Sequence, residues 1–359
     1  MLKKLKVIAI LSCILLLFAA CSSGQQSAKG GDEGSSSNEK SGEKITLKLA
    51  TIQPETHTLT QNFFKPFMEK VEELTDGQVE FEFYPAEQLG KAADYLDLTR
   101  DGVMDVAYYL STYYPSNMPI NANMFGLPGM YQSAEDGVAL HTISQQEPML
   151  TTDYLNNGVR PVANFLVSPY QFFTTGKEVR VPEDLKGEKV RAPGGIATKA
   201  IEALGATPVS TSSTEVYEAV ERGVIDVVNW YGQGVRDYGV SELIKYGIQN
   251  VNFGGLSGGL VINEQVYQSL PQNVKDAFKQ AGDEVSASFA KIYEEDEVKV
   301  FEEFKSTGNI KVVELSEDEL AEWEKFYEEF TEPAINELKD VDKLKEAIDQ
   351  FNAELEKIR

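Results

Sequence analysis

Between Ile45 and Ala50 the apolar residues Ile45, Leu47 and Leu49 occupy alternate positions, the period of a strand with one buried face. Leu59, Phe63, Phe67, Val71 and Leu74 then recur every three or four residues, the period of a helix, and Gly77 closes it. Pro66 lies inside this pattern with no amide hydrogen for the helical ladder, so it marks either a kink or a late helix start. Alternation returns at Val79, Phe81 and Phe83. A helix is expected from about Gln88 to Asp101, stopped by Gly102, and a third strand near Met104 to Tyr109. This order predicts a parallel sheet with right-handed crossovers.

After a long middle stretch the rhythm returns. Lys189 to Ala192 reads as a strand, Ile196 to Leu204 as a helix ended by Gly205, and Thr207 to Val209 as a short strand. Ser212 and Glu215 form a capping box for a helix that Gly223 ends before a strand at Val224 to Asn229. Gly254, Gly255, Gly258 and Gly259 mark a glycine-rich passage ahead of a strand at Leu260 to Asn263. Pro271 opens a long helix towards Lys305, with Val274, Phe278, Ala281, Val285 and Phe289 on one face and Gly308 as its stop. Ile310 to Val313 reads as a strand. The tail from Ser316 is helical, with Ser316 and Glu319 as its capping box and Leu320, Trp323, Tyr327 and Phe330 on its docking face. Two such α/β units imply two lobes. Ligands of open parallel sheets bind beyond the carboxyl ends of strands, so the residues after Ala50, Tyr109, Ala192 and Asn229 are the first candidates.

Composition narrows the partners. The chain has 359 residues, with 33 Lys+Arg against 57 Asp+Glu and a net charge of −24, which argues against nucleic acid and against a basic membrane-surface patch. Residues 1–20 carry Lys3, Lys4 and Lys6, an apolar run from Val7 to Phe18, and then Ala19 and Ala20, the pattern of a removed secretory signal. Phe18-Ala19-Ala20-Cys21 resembles a bacterial lipoprotein box, which makes Cys21 the lipidation site and Cys13 part of the discarded leader. Loss of the three lysines takes the charge to −27. Residues 21–44 are polar and glycine-rich, a tether reaching about 25–30 Å. The localisation expected is extracytoplasmic, held by lipid to a bacterial membrane.

Most chemistry finds no support. Gly255-Leu256-Ser257-Gly258-Gly259 matches the G-x-S-x-G nucleophile elbow literally, but a strand follows Ser257 where the elbow needs a helix, and His57 and His141 both precede it. Two distant histidines and no spare thiol argue against a metal centre, and no phosphate-binding glycine loop is present, so no cofactor is expected. Arg191 stands apart. It closes a short strand ahead of Ala192, Pro193 and two glycines, where a guanidinium fork would meet a carboxylate bidentately; an ordinary ion pair is the alternative.

The stretch Val181-Pro182-Glu183-Asp184-Leu185-Lys186-Gly187-Glu188-Lys189-Val190-Arg191-Ala192-Pro193 resembles the solute receptors of tripartite ATP-independent periplasmic (TRAP) transporters, of the C4-dicarboxylate-binding (DctP) type. Tyr84-Pro85-Ala86-Glu87-Gln88-Leu89-Gly90, Glu215-Val216-Tyr217 with Gly223-Val224-Ile225-Asp226, and Val261-Ile262-Asn263 with Leu270-Pro271 follow in the family's order. The resemblance implies a two-lobed α/β fold like that of periplasmic binding proteins, of class II-like topology, with hinge strands and a long helix spanning both lobes. Residues 45–168 with 256–295 would form lobe I, and 169–255 with 296–359 lobe II. It also implies a receptor without catalytic residues that hands a small organic anion to TRAP-type permease subunits.

The family's hallmark arginine falls on Arg191, and its pocket positions fall on Gln53, Leu110, Gln171, Ser213 and Trp230, with Asn229 adjacent. Tyr109 and Phe172 join this set, in company with Tyr108, Tyr113, Tyr114 and Phe173, although strand alternation sends about half of these aromatics into the core. Sialic-acid-type members carry an arginine, a carboxylate and an asparagine where this chain has Gln171, Leu110 and Trp230. One arginine among apolar and aromatic walls points to a monocarboxylate with an apolar or aromatic body. The alternatives are a ligand sensor serving a signalling partner and a secreted serine hydrolase acting through Ser257.

Overall fold

The computed structural model describes residues 43–359. The secretory signal, Cys21 and nearly all of the tether lie outside the described residues.

Eleven strands form two sheets among the described residues: β1 (Ile45–Ala50), β2 (Val79–Tyr84), β3 (Val106–Leu110), β4 (Val159–Leu166), β5 (Gln171–Thr174), β6 (Lys189–Ala192), β7 (Thr207–Ser210), β8 (Val227–Trp230), β9 (Tyr246–Ile248), β10 (Ser257–Asn263) and β11 (Lys311–Val313). The first sheet has the order β2-β1-β3-β10-β4 and the second β11-β9-β5-β8-β6-β7. Each keeps the expected parallel unit, β2-β1-β3 in one and β8-β6-β7 in the other. Each also takes a strand that runs against it. β10 is antiparallel to β3 and β4, and β5 is antiparallel to β8 and β9, so the sheets are mixed rather than parallel.

The glycine-rich passage belongs partly to a strand, three residues longer than its apolar run. Gly258 and Gly259 are inside β10, and a Cβ on Gly259 would lie 2.2 Å from the Ala163 carbonyl oxygen, so only glycine lets β10 seat between its neighbours. Pro66 lies inside one helical run rather than at a late start. Residues 58–59 are already helical, a π-helical turn at Thr60–Phe64 follows, and the regular helix Lys65–Leu74 continues from it, so the irregular turn ahead of the proline accommodates its missing amide hydrogen.

Two chain crossings join the sheets and pair with one another. The passage from β4 to β5 and the return from Phe253 to Leu256 exchange bonds from the Tyr170 amide to Gly254 O (2.8 Å) and from the Phe253 amide to Tyr170 O (2.7 Å). The third connection is the helix Gln272–Thr307, 36 residues and about 54 Å long. Its first half puts Phe289 against Phe63 and Phe165 over the first sheet, and its last turns put Phe301 and Phe304 against Phe173 of the second.

The tail does not follow the expected division. Helix Glu317–Asn336 stays with the second sheet, where Trp323 stacks on Phe172. Helix Val341–Ile358 instead lays Leu344, Ala347, Phe351 and Leu355 into the core of the first sheet, with Phe351 edge-on to Phe125, and Arg359 pairs with Asp136. Assigning all of 296–359 to lobe II is therefore corrected for its last helix. The apolar stripe is visible in the sequence, but its docking partner is not.

Candidate functional site

Arg191 leaves the end of β6 on the same face as Val228 and Trp230, because register sets it opposite Val228 and strand residues alternate sides. Its guanidinium carbon sits 5.0 Å above the Trp230 ring and 5.9 Å from the Tyr170 ring. Nη1 donates to the Asn229 main-chain oxygen at 3.2 Å. Nε is buried without a partner, which leaves the Nε–Nη2 edge as an unused bidentate donor. The side chain is 4% exposed and forms no ion pair among the described residues. The other six of the chain's seven arginines, Arg100, Arg160, Arg180, Arg222, Arg236 and Arg359, all pair with carboxylates. An unpaired buried guanidinium is costly, and an anion on its open edge would offset that cost.

Aromatic side chains from both sheets surround it. From the second come Trp230, Tyr170, Tyr231 and Tyr238, with Trp230 and Tyr238 ring centroids 5.1 Å apart and Tyr170 and Tyr231 5.7 Å apart. From the first come Tyr108 and the partly exposed Tyr113. Burial pushes the Tyr113 hydroxyl above its usual value while the Arg191 charge opposes it, which places this first-sheet residue beside the second-sheet cation. Burial also pushes Tyr108 well up, its neighbours Tyr113, Tyr231 and Tyr238 add to this, and a hydrogen bond with Gln53 works against it. The Tyr170 hydroxyl is buried beside the Arg191 guanidinium, and Thr211 Oγ1, just past the end of β7, is buried and unpartnered. His57, in the loop after β1, is pushed below 6.5 by burial, and Asp237 of the second lobe counters this.

Not every expected residue faces this region. Trp230 does, as the floor beneath Arg191. Gln53 reaches it through Tyr108, and its carbonyl holds the Ala86 amide at 3.0 Å. Leu110 shares the face of Tyr108 and is half-buried against Gly258. Ser213 is half-buried in the turn after β7, where Ser212 is the residue bonded to Glu215.

Four positions are corrected. Tyr109 points into the core, where its hydroxyl meets Tyr154 at 2.7 Å and Asn164 Nδ2 at 2.7 Å. Phe172 lies on the opposite face of the second sheet, packed on Phe253 and Trp323. Asn229 is paired with Phe172 and shares that opposite face; it gives Arg191 its carbonyl, while its amide nitrogen donates to Gln171 O and Phe253 O. Gln171 spends its amide on the crossing loop, donating to Asn252 Oδ1 at 2.9 Å and accepting from the Val251 amide at 2.9 Å. For Tyr109, Phe172 and Asn229 a one-residue step along a strand reverses the face, whereas Gln171 is paired with Trp230 and is taken up by the crossing loop instead. Tyr170, Tyr231, Tyr238, His57 and Thr211 were not expected. Their only signal in the sequence is proximity to a strand end or to Trp230.

Among the described residues, Ser257 Oγ bonds neither a histidine nor a carboxylate. The buried hydroxyl donates to Asn121 Oδ1 at 3.0 Å and shares a hydrogen bond with Ser111 Oγ at 2.9 Å, and His141 is bonded instead to Asn164 and Asp283. A surface groove of about 530 Å³ between helices Gly195–Ala203 and Glu317–Asn336 contains none of the side chains around Arg191.

Residues 49–337 match the family described as bacterial extracellular solute-binding protein, family 7 (DctP). The chain is 28% identical over 262 residues to the C4-dicarboxylate-binding periplasmic protein DctP of Rhodobacter capsulatus, covering 72% of this chain and 77% of that protein. It superposes with a TM-score of 0.76 and 26% identity on a marine metagenome TRAP solute-binding protein specific for aromatic acid ligands, crystallised with 3-hydroxybenzoate; the match covers 87% of this chain and 99% of the other. A TRAP periplasmic solute-binding protein of Bordetella bronchiseptica with bound mandelate shares the fold at TM-score 0.76 and 22% identity, covering 88% of this chain and all of the other.

Proposed function

Because the chain belongs to the DctP family of bacterial extracellular solute-binding proteins, we propose that it is an extracytoplasmic receptor that binds a small aromatic monocarboxylate and hands it to a TRAP-type permease. The observation that carries this reading is Arg191, a buried cation with a free donor edge and no carboxylate of its own. A solute carboxylate on the Nε–Nη2 edge supplies the missing counter-charge through two charge-assisted hydrogen bonds. Its ring then lies among Trp230, Tyr170, Tyr231, Tyr238, Tyr108 and Tyr113. No second lysine or arginine stands among these side chains, which disfavours a dicarboxylate. The 26% identical relative specific for aromatic acids supports the same choice.

Binding residues come from both sheets, so the solute bridges them and favours whichever arrangement brings them together. The paired crossings and the long helix are the parts that bend. The membrane tether is part of the proposal: an acyl chain on Cys21 would keep the receptor near its permease, and fatty-acid labelling would be lost in Cys21→Ser. Calorimetric titration with benzoate, 3-hydroxybenzoate, succinate and glucuronate tests the solute class. Benzoate and 3-hydroxybenzoate are expected to bind at least tenfold more tightly than succinate or glucuronate. Equal affinity for succinate would overturn the aromatic assignment, and no carboxylate binding at all would overturn the receptor reading.

A further inference from the structure

The turn that presents Trp230 is fastened from behind. Glu297, on the helix Gln272–Thr307, is 7% exposed and accepts the Gly232 amide at 2.7 Å on one carboxyl oxygen and the Gln233 amide at 2.9 Å on the other. One turn earlier on the same helix, the Tyr293 carbonyl accepts Gln233 Nε2 at 2.7 Å. Contacts are close along this path. A Cβ on Gly232 would lie 3.0 Å from both Glu297 oxygens, and one on Gly234 would lie 2.7 Å from the Trp230 indole. A continuous packed line therefore runs from Glu297 through Gly232 and Gly234 to the indole, and on to the guanidinium 5.0 Å from it. This joint sits where the helix passes from the first sheet to the second, between Phe289 and Phe301.

We infer that Glu297 is a positioning residue of the solute site, which holds the Trp230 turn against the lobe-spanning helix and favours an anionic solute most when it carries a proton. The inference takes only its ligand from the receptor reading. Burial pushes the Glu297 carboxyl up to about 8 against the pull of the two amides, and Glu294 and Asp296 add to the rise. Glu294 and Asp296 of its own helix act on it, as it does on Tyr293, which also feels Tyr231 of the turn and Asp237 of the Gly232–Asp237 helix; Arg236 of that helix meets the neighbouring Asp296. Arg236 is already paired with Asp237 and Asp296, so it is not free to neutralise Glu297. Tyr231 and Tyr293 are pushed above 10, and His57, next to Asp237, lies below 6.5, so none of these titrates between pH 7 and 9. A solute anion at Arg191 makes ionisation of Glu297 harder. Binding then takes up a proton and weakens as the pH rises through about 8.

The test is calorimetric titration of benzoate at pH 7, 8 and 9 in the wild type and Glu297→Gln, alongside tryptophan emission of the ligand-free proteins over the same range. The wild type should bind about fivefold or more weakly at pH 9 than at pH 7. Glu297→Gln should show no such dependence, and the wild-type emission should titrate near pH 8 with a signal that disappears in Trp230→Phe. A pH-independent wild type, or a glutamine variant with the wild-type pH profile, would overturn the inference. If benzoate fails to bind the wild type at pH 7, the aromatic assignment falls, and the emission titration alone decides on Glu297: no transition near pH 8 refutes it.

Discussion

Replacing Arg191 by Met separates a binding cation from a structural one. Methionine keeps an unbranched stem over Trp230 and removes the charge. A structural arginine would leave a stranded carboxylate when removed, at a cost of about 3–5 kcal/mol. Arg191 has no carboxylate partner, so its removal strands only the Asn229 carbonyl and relieves a desolvated charge. The ligand-free variant should therefore melt at the wild-type temperature or above. Solute binding should behave in the opposite way. Loss of a buried hydrogen-bonded charge pair costs about 2–5 kcal/mol, roughly 30- to 4,000-fold in Kd. At 100 times Kd, benzoate should stabilise the wild type by about 2.7 kcal/mol, a rise of about 4–6 °C in a chain this size. The variant at the same concentration should show none. Differential scanning fluorimetry with and without benzoate reads both signs in one assay. A ligand-free Tm lowered by more than about 6 °C, or a retained benzoate shift, would refute the reasoning.

Two further outcomes check the corrected placements. Tyr109→Phe should leave benzoate affinity unchanged and lower stability by about 1–3 kcal/mol in urea unfolding, because it removes the hydroxyl shared with Tyr154 and Asn164; a large loss of affinity would return Tyr109 to the site. Asp153, whose carboxyl accepts the Ile120 and Asn121 amides, is pushed up to about 6 by burial. The folded protein thus binds this proton more tightly than the unfolded chain, so the contribution, about 3 kcal/mol, is fully present below pH 3.8 and lost as the pH rises through about 6. Urea midpoints from pH 4 to 7 should fall by less in Asp153→Asn than in the wild type, and parallel curves would contradict the assignment.

The net charge of −24 acquires a sharper meaning beside Arg191. A receptor this acidic repels its own anionic solute at long range, and the screened surface field decays within about 8–10 Å. On the proposed reading, selectivity rests on a short-range pair in a buried site, where one guanidinium outweighs many solvated carboxylates.

By itself the sequence determined the local periods and the punctuation. It placed β1 and β2, the parallel units and the long helix with its Gly308 stop, because strand and helix periods and caps depend on residues within a few positions. It also singled out Arg191 and Trp230, through a strand-end position and a family resemblance. Tertiary structure decided what depends on partners distant in the chain. The reversed strands β5 and β10 exist because the two crossings pair with each other, and β10 includes glycines that locally read as a loop but fit only between β3 and β4. The final helix docks on the first sheet rather than the second because its apolar stripe fits Phe125 and its neighbours, a match no local pattern encodes. The same holds for the site. Tyr109, Phe172 and Asn229 carry suitable chemistry at strand ends but face away, since one residue of register reverses a side chain. Tyr113 and Arg191 are 78 positions apart in sequence and become neighbours only through folding.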